Sequence, residues 1–537
     1  MADGARSRTL ARLYGGCGVQ VNARKFDGRR ALPYPSANSN ERRSGSRMTN
    51  NDDQRQVLKP DICVIGAGSG GLSVAAACAS FGVEVVLIER HKMGGDCLNY
   101  GCVPSKALIA AGKAAHVHET SERFGVRYEA PTIDFAAVHD HVHDVIAGIA
   151  PMDSEERFEA LGVRVLRADA RFLDAKTVEA GDTLVRARRF VVATGSSPFV
   201  PPIEGLDDVP YHTNETLFDR KEAPGRMVVI GGGPIGMEMA QAHMRLGADV
   251  TVVEADRVLG KDDPELAAIV ADQLRAEGLK TLEGSKVVRA ERTGDAIRLH
   301  METADGPATV EADTLLVAVG RRANTADLGL EDAGIETTRA GIKVSRKLRT
   351  TNRRVYAVGD VADPPDADGE HTGGLQFTHV AGYHAGLVVR AVLFRLNAPE
   401  DRSIIPWATF TDPALSHVGM TEAQARAAGK DMRILRWPYA ENDRASTERK
   451  TTGLIKIVTD AKGTILGATI AGHDAGEMIN LWALAVSKKM SVRDIAGYVA
   501  PYPTMAEIGK RAATSFYAPT TRKPIVRRAV DFLSRFG

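Results

Sequence analysis

Cysteine is scarce in this chain of 537 residues, and none lies beyond Cys102. The five cysteines are Cys17, Cys63, Cys78, Cys97 and Cys102. A disulfide framework or a zinc site needs cysteines in a repeated pattern, so neither is predicted. Cys63 and Cys78 fall in an apolar strand and the helix after it, where we expect inert core positions. This cysteine usage is typical of a reducing compartment.

Surplus charge and a long apolar run are also missing. The formal net charge is +1 at pH 7, which gives no reason to expect a nucleic acid or an acidic partner. The most apolar region, 62–88, is broken by glycines and contains Glu84. It therefore predicts a buried strand–helix–strand unit and no transmembrane segment. No signal-peptide apolar region is present, so we expect a cytoplasmic location.

Residues 1–56 differ from the rest of the chain. They contain many arginines, few acids and no sustained apolar periodicity. A disordered tail, a targeting peptide and a start codon assigned too far upstream all remain open. Transit peptides are rich in Arg and Ser, but no amphipathic helix is evident here. We favour the tail or the mis-assigned start, since Met48 could begin a shorter protein.

Cys97 and Cys102 lie in a glycine-containing segment, and Pro104 opens a run that predicts a helix. At a helix N-terminus the dipole and the free N–H groups favour a thiolate at Cys102. Cys97 is near enough to form a disulfide with it if the backbone turns back, which would allow thiol–disulfide exchange. From the spacing alone, two buried structural cysteines are an equally good interpretation.

A nucleotide fingerprint precedes the cysteines. An apolar strand leads into Gly66-x-Gly68-x-x-Gly71, then into an Ala-rich helix, and Glu89 ends the next strand. The glycines permit a tight turn and let backbone amides approach a pyrophosphate at the helix N-terminus. A carboxylate at the position of Glu89 can bind a ribose hydroxyl.

The same pattern recurs at Gly231, Gly233 and Gly236, with Glu254 at the same offset from the first glycine. Two such units indicate two dinucleotides, and a flavin with a nicotinamide is the economical choice. Glu254 would accept a 2′-hydroxyl and repel a 2′-phosphate, so NADH is favoured over NADPH. Arg257 lies close by and weakens that preference.

These motifs together resemble the flavin-dependent pyridine nucleotide–disulfide oxidoreductases, the family of dihydrolipoamide dehydrogenase, glutathione reductase and mercuric reductase. The resemblance covers about residues 59–510. It implies an α/β fold with two Rossmann-type domains, for FAD and NAD, and a C-terminal α+β dimerisation domain. The implied parts are an FAD-binding domain at 57–200 and 325–400, an NAD(P)-binding domain at 201–324, a dimerisation domain at 401–520 and a basic tail at 521–537.

The resemblance also implies residue roles. Cys97 would be the interchange thiol that meets the acceptor, and Cys102 would exchange electrons with FAD, which NAD(P)H reduces. Lys106 would lie near the flavin and pair with Glu238. Further cofactor contacts are implied for Gly195, Gly320, Asp360 and His379.

Two of these implied contacts are more specific. Asp360 follows an apolar strand and matches the aspartate that binds the ribityl chain. His379 begins an apolar helix whose N-terminus would face the flavin, and a flavin contact and a packing role are equally open for it. The family's dimerisation domain implies a homodimer in which the C-terminal end of one chain completes its partner's active site.

The chain departs from disulfide reductases near its C-terminal end. The family carries His-Pro-Thr followed by Glu, whereas this sequence has Tyr502 at the histidine position and keeps Glu507. Tyrosine titrates near pH ~10, so it is a poor acid–base at neutral pH. A tyrosine here resembles mercuric reductases, which need thiolates for a soft metal ion. The paired C-terminal cysteines and the N-terminal C-x-x-C domain of those enzymes are missing.

We therefore expect a reductase whose acceptor is a metal ion, as in mercuric reductase. Dihydrolipoamide dehydrogenase or another disulfide reductase is the first alternative, and a NADH:quinone or dye reductase is the second. A membrane-surface or scaffolding protein that keeps only the fold is a fourth interpretation, supported by the Arg-rich head and the basic tail alone.

Two further patterns are weighed against plainer interpretations. Five histidines between 116 and 143 predict a solvated helical surface, because no acid or cysteine completes a metal-ligand set. Residues 522–536 mix basic and apolar side chains, which allows a helix on a membrane surface. The segment is short and contains Pro524, so an ordinary surface helix is favoured.

Overall fold

Strands and helices alternate along most of the chain, which confirms the expected α/β class. The computed structural model describes residues 55–366 and 368–537. The expected N-terminal tail or mis-assigned start at 1–56, with Met48, lies outside the described residues apart from its last two positions.

The strands are β1 Gln56–Leu58, β2 Ile62–Ile65, β3 Val85–Glu89, β4 Val163–Arg167, β5 Ala170–Asp174, β6 Thr177–Ala180, β7 Thr183–Val185, β8 Arg189–Val192, β9 Ser196–Pro198, β10 Arg226–Ile230, β11 Asp249–Val253, β12 Lys280–Leu282, β13 Lys286–Thr293, β14 Ala296–Thr303, β15 Gly306–Ala312, β16 Thr314–Val317, β17 Arg321–Ala323, β18 Ile342–Lys343, β19 Val355–Ala357, β20 Ala362–Asp363, β21 Trp407–Thr409, β22 Ala414–Gly419, β23 Met432–Pro438, β24 Leu454–Asp460 and β25 Ile465–Gly472.

The helices are α1 Ser69–Ser80, α2 Gly95–Asn99, α3 Cys102–Ser121, α4 Phe135–Ile149, α5 Glu155–Ala160, α6 Asn214–Leu217, α7 Pro234–Arg245, α8 Pro264–Ala276, α9 Thr378–Phe394, α10 Glu422–Ala427, α11 Asp443–Thr447, α12 Ala475–Ser487, α13 Val492–Gly497, α14 Glu507–Ser515, α15 Ala518–Thr521 and α16 Pro524–Leu533. Short 3₁₀ turns are found at Glu122–Phe124, Ala150–Asp153, Leu206–Asp208, Gly359–Val361, Arg402–Ile404, Tyr439–Glu441 and Ser534–Phe536.

Five parallel strands form the first sheet, in the order β19-β8-β2-β3-β4. Strand β2 lies at its centre and is buried along its whole length, which suits an uninterrupted apolar run in a parallel sheet. Helices α1 and α9 pack against each other and contribute to the same core. Cys63 and Cys78 belong to this core, as expected. Two distant stretches of chain, before 200 and after 325, thus build one sheet.

A second parallel sheet has the order β12-β11-β10-β16, and α7 and α8 contribute to its core. Strand β10 pairs with β11 and β16 over most of its length, as an interior strand of such a sheet should. The antiparallel strands β13, β14 and β15 pack beside it. The short strands β9 and β17 pair with each other where the chain crosses between the two sheets.

The C-terminal part contains an antiparallel sheet with the order β21-β22-β25-β24-β23. Helices α12 and α14 pack on it, and the buried indole of Trp482 fills the space between them. Buried charges tie this part to the second sheet. Lys456 Nζ lies 2.8 Å from carboxylate oxygens of both Asp263 and Glu422, and Arg245 Nη2 lies 3.3 Å from Asp412 Oδ2.

Within residues 55–366 and 368–537, no helix is long and apolar enough to cross a membrane. The expected helix near the C-terminal end is present as α16, and Pro524 is its first residue. Proline fits that position, because an N–H there would have no partner within the helix.

Candidate active site

The first fingerprint is a tight turn that requires glycine at two positions. Gly66 has φ = +103°, and a Cβ there would lie 2.4 Å from the carbonyl oxygen of Ala193. A Cβ on Gly71 would lie 1.8 Å from the carbonyl oxygen of Gly66. Strand, turn and helix can therefore approach one another only through glycine. Glu89 closes the turn, since its Oε2 accepts the Ala67 N–H at 2.6 Å.

The second fingerprint repeats this geometry. Gly231 has φ = +108°, and its Cβ would lie 2.4 Å from the carbonyl oxygen of Ala318. A Cβ on Gly236 would lie 1.9 Å from the carbonyl oxygen of Gly231. Glu254 Oε2 accepts the Gly232 N–H at 2.6 Å. The two units are thus copies in three dimensions as well as in sequence.

The middle glycines show that these turns fit a dinucleotide. A Cβ on Gly68 would approach nothing closer than 3.9 Å, and a Cβ on Gly233 would meet nothing within 4 Å. Protein packing therefore does not demand glycine here, whereas a phosphate close to the backbone would. Helices α1 and α7 begin at these glycines without a side-chain cap, so their first N–H groups can bind a pyrophosphate.

The two cysteines lie on neighbouring helices. Cys102 is the first residue of α3, which confirms the prediction that it lies at a helix N-terminus, and Cys97 belongs to the short α2. Both thiols are free in the structure. Cys102 Sγ lies 3.2 Å from Thr378 Oγ1, at the first residue of α9. The pair thus lies where α3 and α9 both begin.

The surroundings stabilise a thiolate on one sulfur. A hydrogen bond from the Cys97 thiol, a contact with Thr378 and the charge of Lys106 together lower the pKa of Cys102 to about 6, although burial opposes them. The pKa of Cys97 is raised, because its proton is held in the hydrogen bond to Cys102 and because the thiol is partly buried. At neutral pH the pair is therefore a Cys102 thiolate beside a Cys97 thiol.

Lys106 is held by a buried carboxylate. Its Nζ lies 2.8 Å from Glu238 Oε2, and Glu238 is only 5% exposed. Glu238 Oε1 accepts the backbone N–H of Phe410 at 2.9 Å, and the Lys106 ammonium also lies 4.5 Å from the centre of the Phe410 ring. The lysine charge is thus fixed one helical turn from the Cys102 thiolate.

Asp360 belongs to a polar cluster at the crossing between the sheets. Ser196 Oγ donates to its Oδ2 at 2.6 Å, and burial raises the pKa of the Asp360 carboxyl. Arg321 donates from Nη2 to the Ser196 carbonyl at 2.7 Å and forms an ion pair of 3.2 Å with Asp96. The cluster therefore joins the residue before Cys97 to strands β9 and β17.

Gly195 and Gly320 immediately precede these two strands. Their φ values are +68° and +136°, and a Cβ on either would meet nothing within 4 Å. Their backbone conformation alone therefore favours glycine. His379 follows Thr378 on α9, stacks on Phe377 and lies 2.7 Å from the Pro406 carbonyl oxygen through Nε2. Both contacts are packing contacts within the protein, and the ring remains exposed.

Tyr502 and Glu507 lie in the C-terminal part. Tyr502 is 68% exposed, and its Oη donates to Asp443 Oδ2 at 2.9 Å. This hydrogen bond raises the pKa of Tyr502 above its usual value. Glu507 is the first residue of α14. Among the described residues, no hydrogen bond joins either side chain to the cysteine pair of the same chain.

The histidines at 116–143 lie on α3 and α4. His139 and His143 stack with ring centres 4.0 Å apart, and His116 faces Glu119 at 3.2 Å. No group of three or more His, Cys, Asp or Glu side chains that could hold a metal ion is found in residues 55–366 and 368–537.

Four contributing residues were missed from the sequence: Thr378, Phe410, Arg321 and Asp443. Arg321 directly follows Gly320 and Thr378 directly precedes His379, so adjacency was an available signal for both. Phe410 and Asp443 reach their partners through long-range packing, so no local pattern indicates these contacts.

Two dinucleotide-binding folds beside a pair of adjacent thiols define an oxidoreductase that links a nicotinamide and a flavin to thiol chemistry. The chain belongs to the pyridine nucleotide-disulphide oxidoreductase family, which it matches over residues 60–385, and residues 405–513 match the dimerisation domain of that family. Members of the family use FAD and NAD(P)H.

The named relatives include mercuric reductases and dihydrolipoyl dehydrogenases. Mercuric reductase of Lysinibacillus sphaericus is 35% identical over 459 residues, which is 85% of this chain and 82% of the relative. Dihydrolipoyl dehydrogenase of Thermus scotoductus is 35% identical over 469 residues, which is 85% of this chain and 97% of the relative. The sequence identity therefore supports membership of the family and does not distinguish between the two activities.

Solved structures agree with the fold. The Cu(II) complex of the HOCl-induced flavoprotein disulfide reductase RclA from Escherichia coli superposes with a TM-score of 0.74 at 29% identity, covering 84% of this chain and 98% of that one. LpdA from Mycobacterium tuberculosis superposes with a TM-score of 0.77 at 25% identity, covering 85% and 99%.

Proposed function

We propose that this protein is an NADH-dependent flavoprotein reductase whose acceptor is a thiophilic metal ion bound by Cys97 and Cys102. The observation that carries the proposal is Tyr502 at the position of the family's acid–base histidine. Its phenol is hydrogen-bonded to Asp443, which raises its pKa, so it stays protonated at neutral pH. A dithiol–disulfide exchange needs a base there, whereas metal reduction does not.

The chain's own residues would then divide the work as follows. The Cys102 thiolate, stabilised by Lys106, provides one soft ligand at neutral pH. Cys97 gives up its proton as the metal ion binds and provides the second. FAD, when bound, supplies the two-electron link between NADH and this site. Names of relatives support a thiophilic metal ion, since they include mercuric reductases and a reductase solved with Cu(II).

In this proposal each of the two fingerprint copies binds one cofactor. Gly66, Gly68, Gly71 and Glu89 would hold FAD, with Asp360 at the ribityl chain. The second copy would hold NADH, with Glu254 on the 2′-hydroxyl and against a 2′-phosphate. We further propose the domain boundaries given above and a homodimer, which the matched dimerisation domain supports. In that dimer Tyr502 and Glu507 would face the partner's cysteines.

Dihydrolipoyl dehydrogenase is the second candidate. It is favoured by relatives of that name whose whole length this chain nearly covers, at 97% for the Thermus enzyme. It requires a proton acceptor for the interchange thiol, which Tyr502 does not supply near neutral pH.

The deciding experiment is NADH oxidation by the purified, flavin-loaded protein, with Hg(II) in excess thiol, with Cu(II) and with lipoamide in parallel. We expect turnover with a metal ion and little with lipoamide. Fast lipoamide turnover without metal-ion turnover would overturn the proposal.

Two variants sharpen this experiment. Tyr502→His restores the family's base, and we expect it to raise lipoamide turnover by about a hundredfold. Cys97→Ser should abolish turnover with metal ions and with lipoamide. A quinone or dye that takes electrons directly from the flavin should still be reduced by Cys97→Ser. Metal-ion turnover that survives in Cys97→Ser would contradict the assigned site.

A further inference from the structure

We propose that residues 522–536, which we call the C-terminal amphipathic segment, bind the surface of an anionic lipid bilayer. The segment consists of two basic residues, helix α16 and the 3₁₀ turn after it. It lies beyond residue 513, where the match to the family's dimerisation domain ends. The family's chemistry therefore does not account for it.

The helix separates its apolar and polar side chains completely. At about 100° per residue, every apolar side chain from 525 to 536 falls within an arc of about 160°, and every charged or hydroxyl side chain falls on the opposite arc. The apolar side chains are Ile525, Val526, Ala529, Val530, Phe532, Leu533 and Phe536, and the polar ones are Arg527, Arg528, Asp531, Ser534 and Arg535. Helices that lie in the interface of a bilayer have this pattern.

The apolar face is turned to solvent. Ile525 is 74% exposed, Leu533 is 64% exposed and Phe536 is 73% exposed. An ordinary surface helix packs such a stripe on the body of its protein. In α16 this stripe is left largely exposed among the described residues, which favours a bilayer over packing on the protein's own surface, and Pro524, at the first position of α16, does not interrupt the helix.

The positive charge of the segment indicates what kind of surface covers its apolar face. The segment has five basic residues, Arg522, Lys523, Arg527, Arg528 and Arg535, against the single acid Asp531. The surface of an anionic bilayer complements both faces of the helix. Its headgroups attract the basic side chains, and the hydrocarbon beneath the headgroups contacts the apolar side chains.

Other occupants fit this charge less well. Residues 1–54 contain ten basic and five acidic side chains, so they carry charge of the same sign as the segment. A second copy of the segment would also bring basic residues beside basic residues. Like charges at a short distance oppose both contacts.

The test uses the full-length, flavin-loaded protein and vesicle flotation. One set of vesicles is pure phosphatidylcholine and the other contains equal parts of phosphatidylcholine and phosphatidylglycerol. We expect binding to the mixed vesicles to exceed binding to the neutral vesicles by about tenfold or more and to weaken with added salt. Equal binding to both, or binding to neither, would overturn the proposal.

Paired variants separate the two faces. Phe532→Ser with Leu533→Ser removes apolar contact, and Arg527→Gln with Arg528→Gln removes charge. Each pair should reduce binding to the mixed vesicles by about tenfold. Leu396→Ser and Arg353→Gln, which change exposed residues elsewhere, serve as matched controls and should bind as the parent does.

Sedimentation without vesicles tests whether a second copy of the chain covers the apolar face. If the Phe532→Ser/Leu533→Ser protein has a smaller oligomeric state than the parent, a second copy covers the face and the proposal is wrong. Flavin content and NADH oxidation should be unchanged in every variant, because none alters the active site. The test is therefore independent of which acceptor the enzyme uses.

Discussion

The two nucleotide-binding copies have the same backbone arrangement from the first strand up to the segment after the second strand, where the chain hydrogen-bonds back to the glycine turn. In the first copy the Gly94 N–H donates to the Ala67 carbonyl at 2.9 Å. In the second copy the Leu259 N–H donates to the Gly232 carbonyl at 2.8 Å. In both copies the donor follows the acceptor by the same number of residues. Gly94 and Leu259 both have positive φ, at +85° and +52°.

The copies differ after that return. In the first, Gly95 packs so closely on Gly68 that its Cβ would lie 2.7 Å from the Gly68 Cα. The helix that carries Cys97 is thereby attached directly to the fingerprint. In the second, the space beside Gly233 is open and Ile235 is 40% exposed. The same backbone arrangement thus suits a dinucleotide covered by the helix of Cys97 in the first copy and an exchangeable dinucleotide in the second.

The largest expected effect comes from alanine at the third glycine of each copy. Gly71→Ala and Gly236→Ala each drive a Cβ into a carbonyl oxygen, and we expect each to destabilise its own sheet by about 3 kcal/mol. Gly71→Ala should release flavin, whereas Gly236→Ala should retain flavin and lose NADH binding. Chemical denaturation and flavin absorbance measure both effects.

A matched glycine on α9 provides the control for these variants. A Cβ on Gly386 would meet nothing within 4 Å, and the residue lies within a helix. Gly386→Ala should therefore be neutral or stabilise the protein by up to about 1 kcal/mol. Equal flavin loss from Gly71→Ala and Gly236→Ala would show that the two copies do not divide the cofactors.

Glu254→Gln tests nicotinamide preference in the second copy alone. It removes the negative charge that would face a 2′-phosphate while keeping an oxygen for the Gly232 N–H. We expect kcat/KM for NADPH relative to NADH to rise about tenfold. Glu89→Gln makes the same change in the first copy and should leave this ratio unaltered. An unchanged ratio in Glu254→Gln would count against NADH specificity.

Lys106→Met tests the thiolate that only the first copy carries. A thiol with its pKa lowered to about 6 is a thiolate above that pH and protonated below it. Removing the lysine charge should move the titration midpoint upward, toward that of a free thiol. The ultraviolet absorbance of the reduced protein, measured against Cys102→Ser, follows this titration. Lys113→Met, further along α3, should leave the midpoint in place, and a fixed midpoint in Lys106→Met would exclude the proposed stabilisation.

The smallest effect on stability is expected at the middle glycines. Gly68→Ala and Gly233→Ala meet no close atom, so the free energy of unfolding should change by less than about 0.5 kcal/mol. Dinucleotide affinity should nevertheless fall, because the added methyl group occupies the space of the phosphate. Calorimetric unfolding with titration of NADH or flavin separates the two quantities. Unaltered affinity in both variants would mean that the phosphates bind elsewhere.

The sequence predicted the features that depend on local pattern. Both fingerprints, their terminal acids and the helix that begins at Cys102 follow from glycine spacing, apolar strands and Pro104. The exposure of the apolar face of α16 did not follow from the sequence, because an amphipathic pattern shows which face is apolar without showing what covers it. The contacts of Phe410 with Glu238 and of Asp443 with Tyr502 join residues far apart in sequence.

Glu238 has a mechanical consequence. One carboxylate oxygen holds Lys106 from the first part of the chain, and the other holds the Phe410 N–H from the C-terminal part. The buried pair of Lys456 with Asp263 fixes the second sheet to the C-terminal sheet as well. We therefore expect these parts of the chain to move little against one another during turnover. We expect NAD(P)H to enter and leave beside the exposed Ile235, with no closing movement of one part over another.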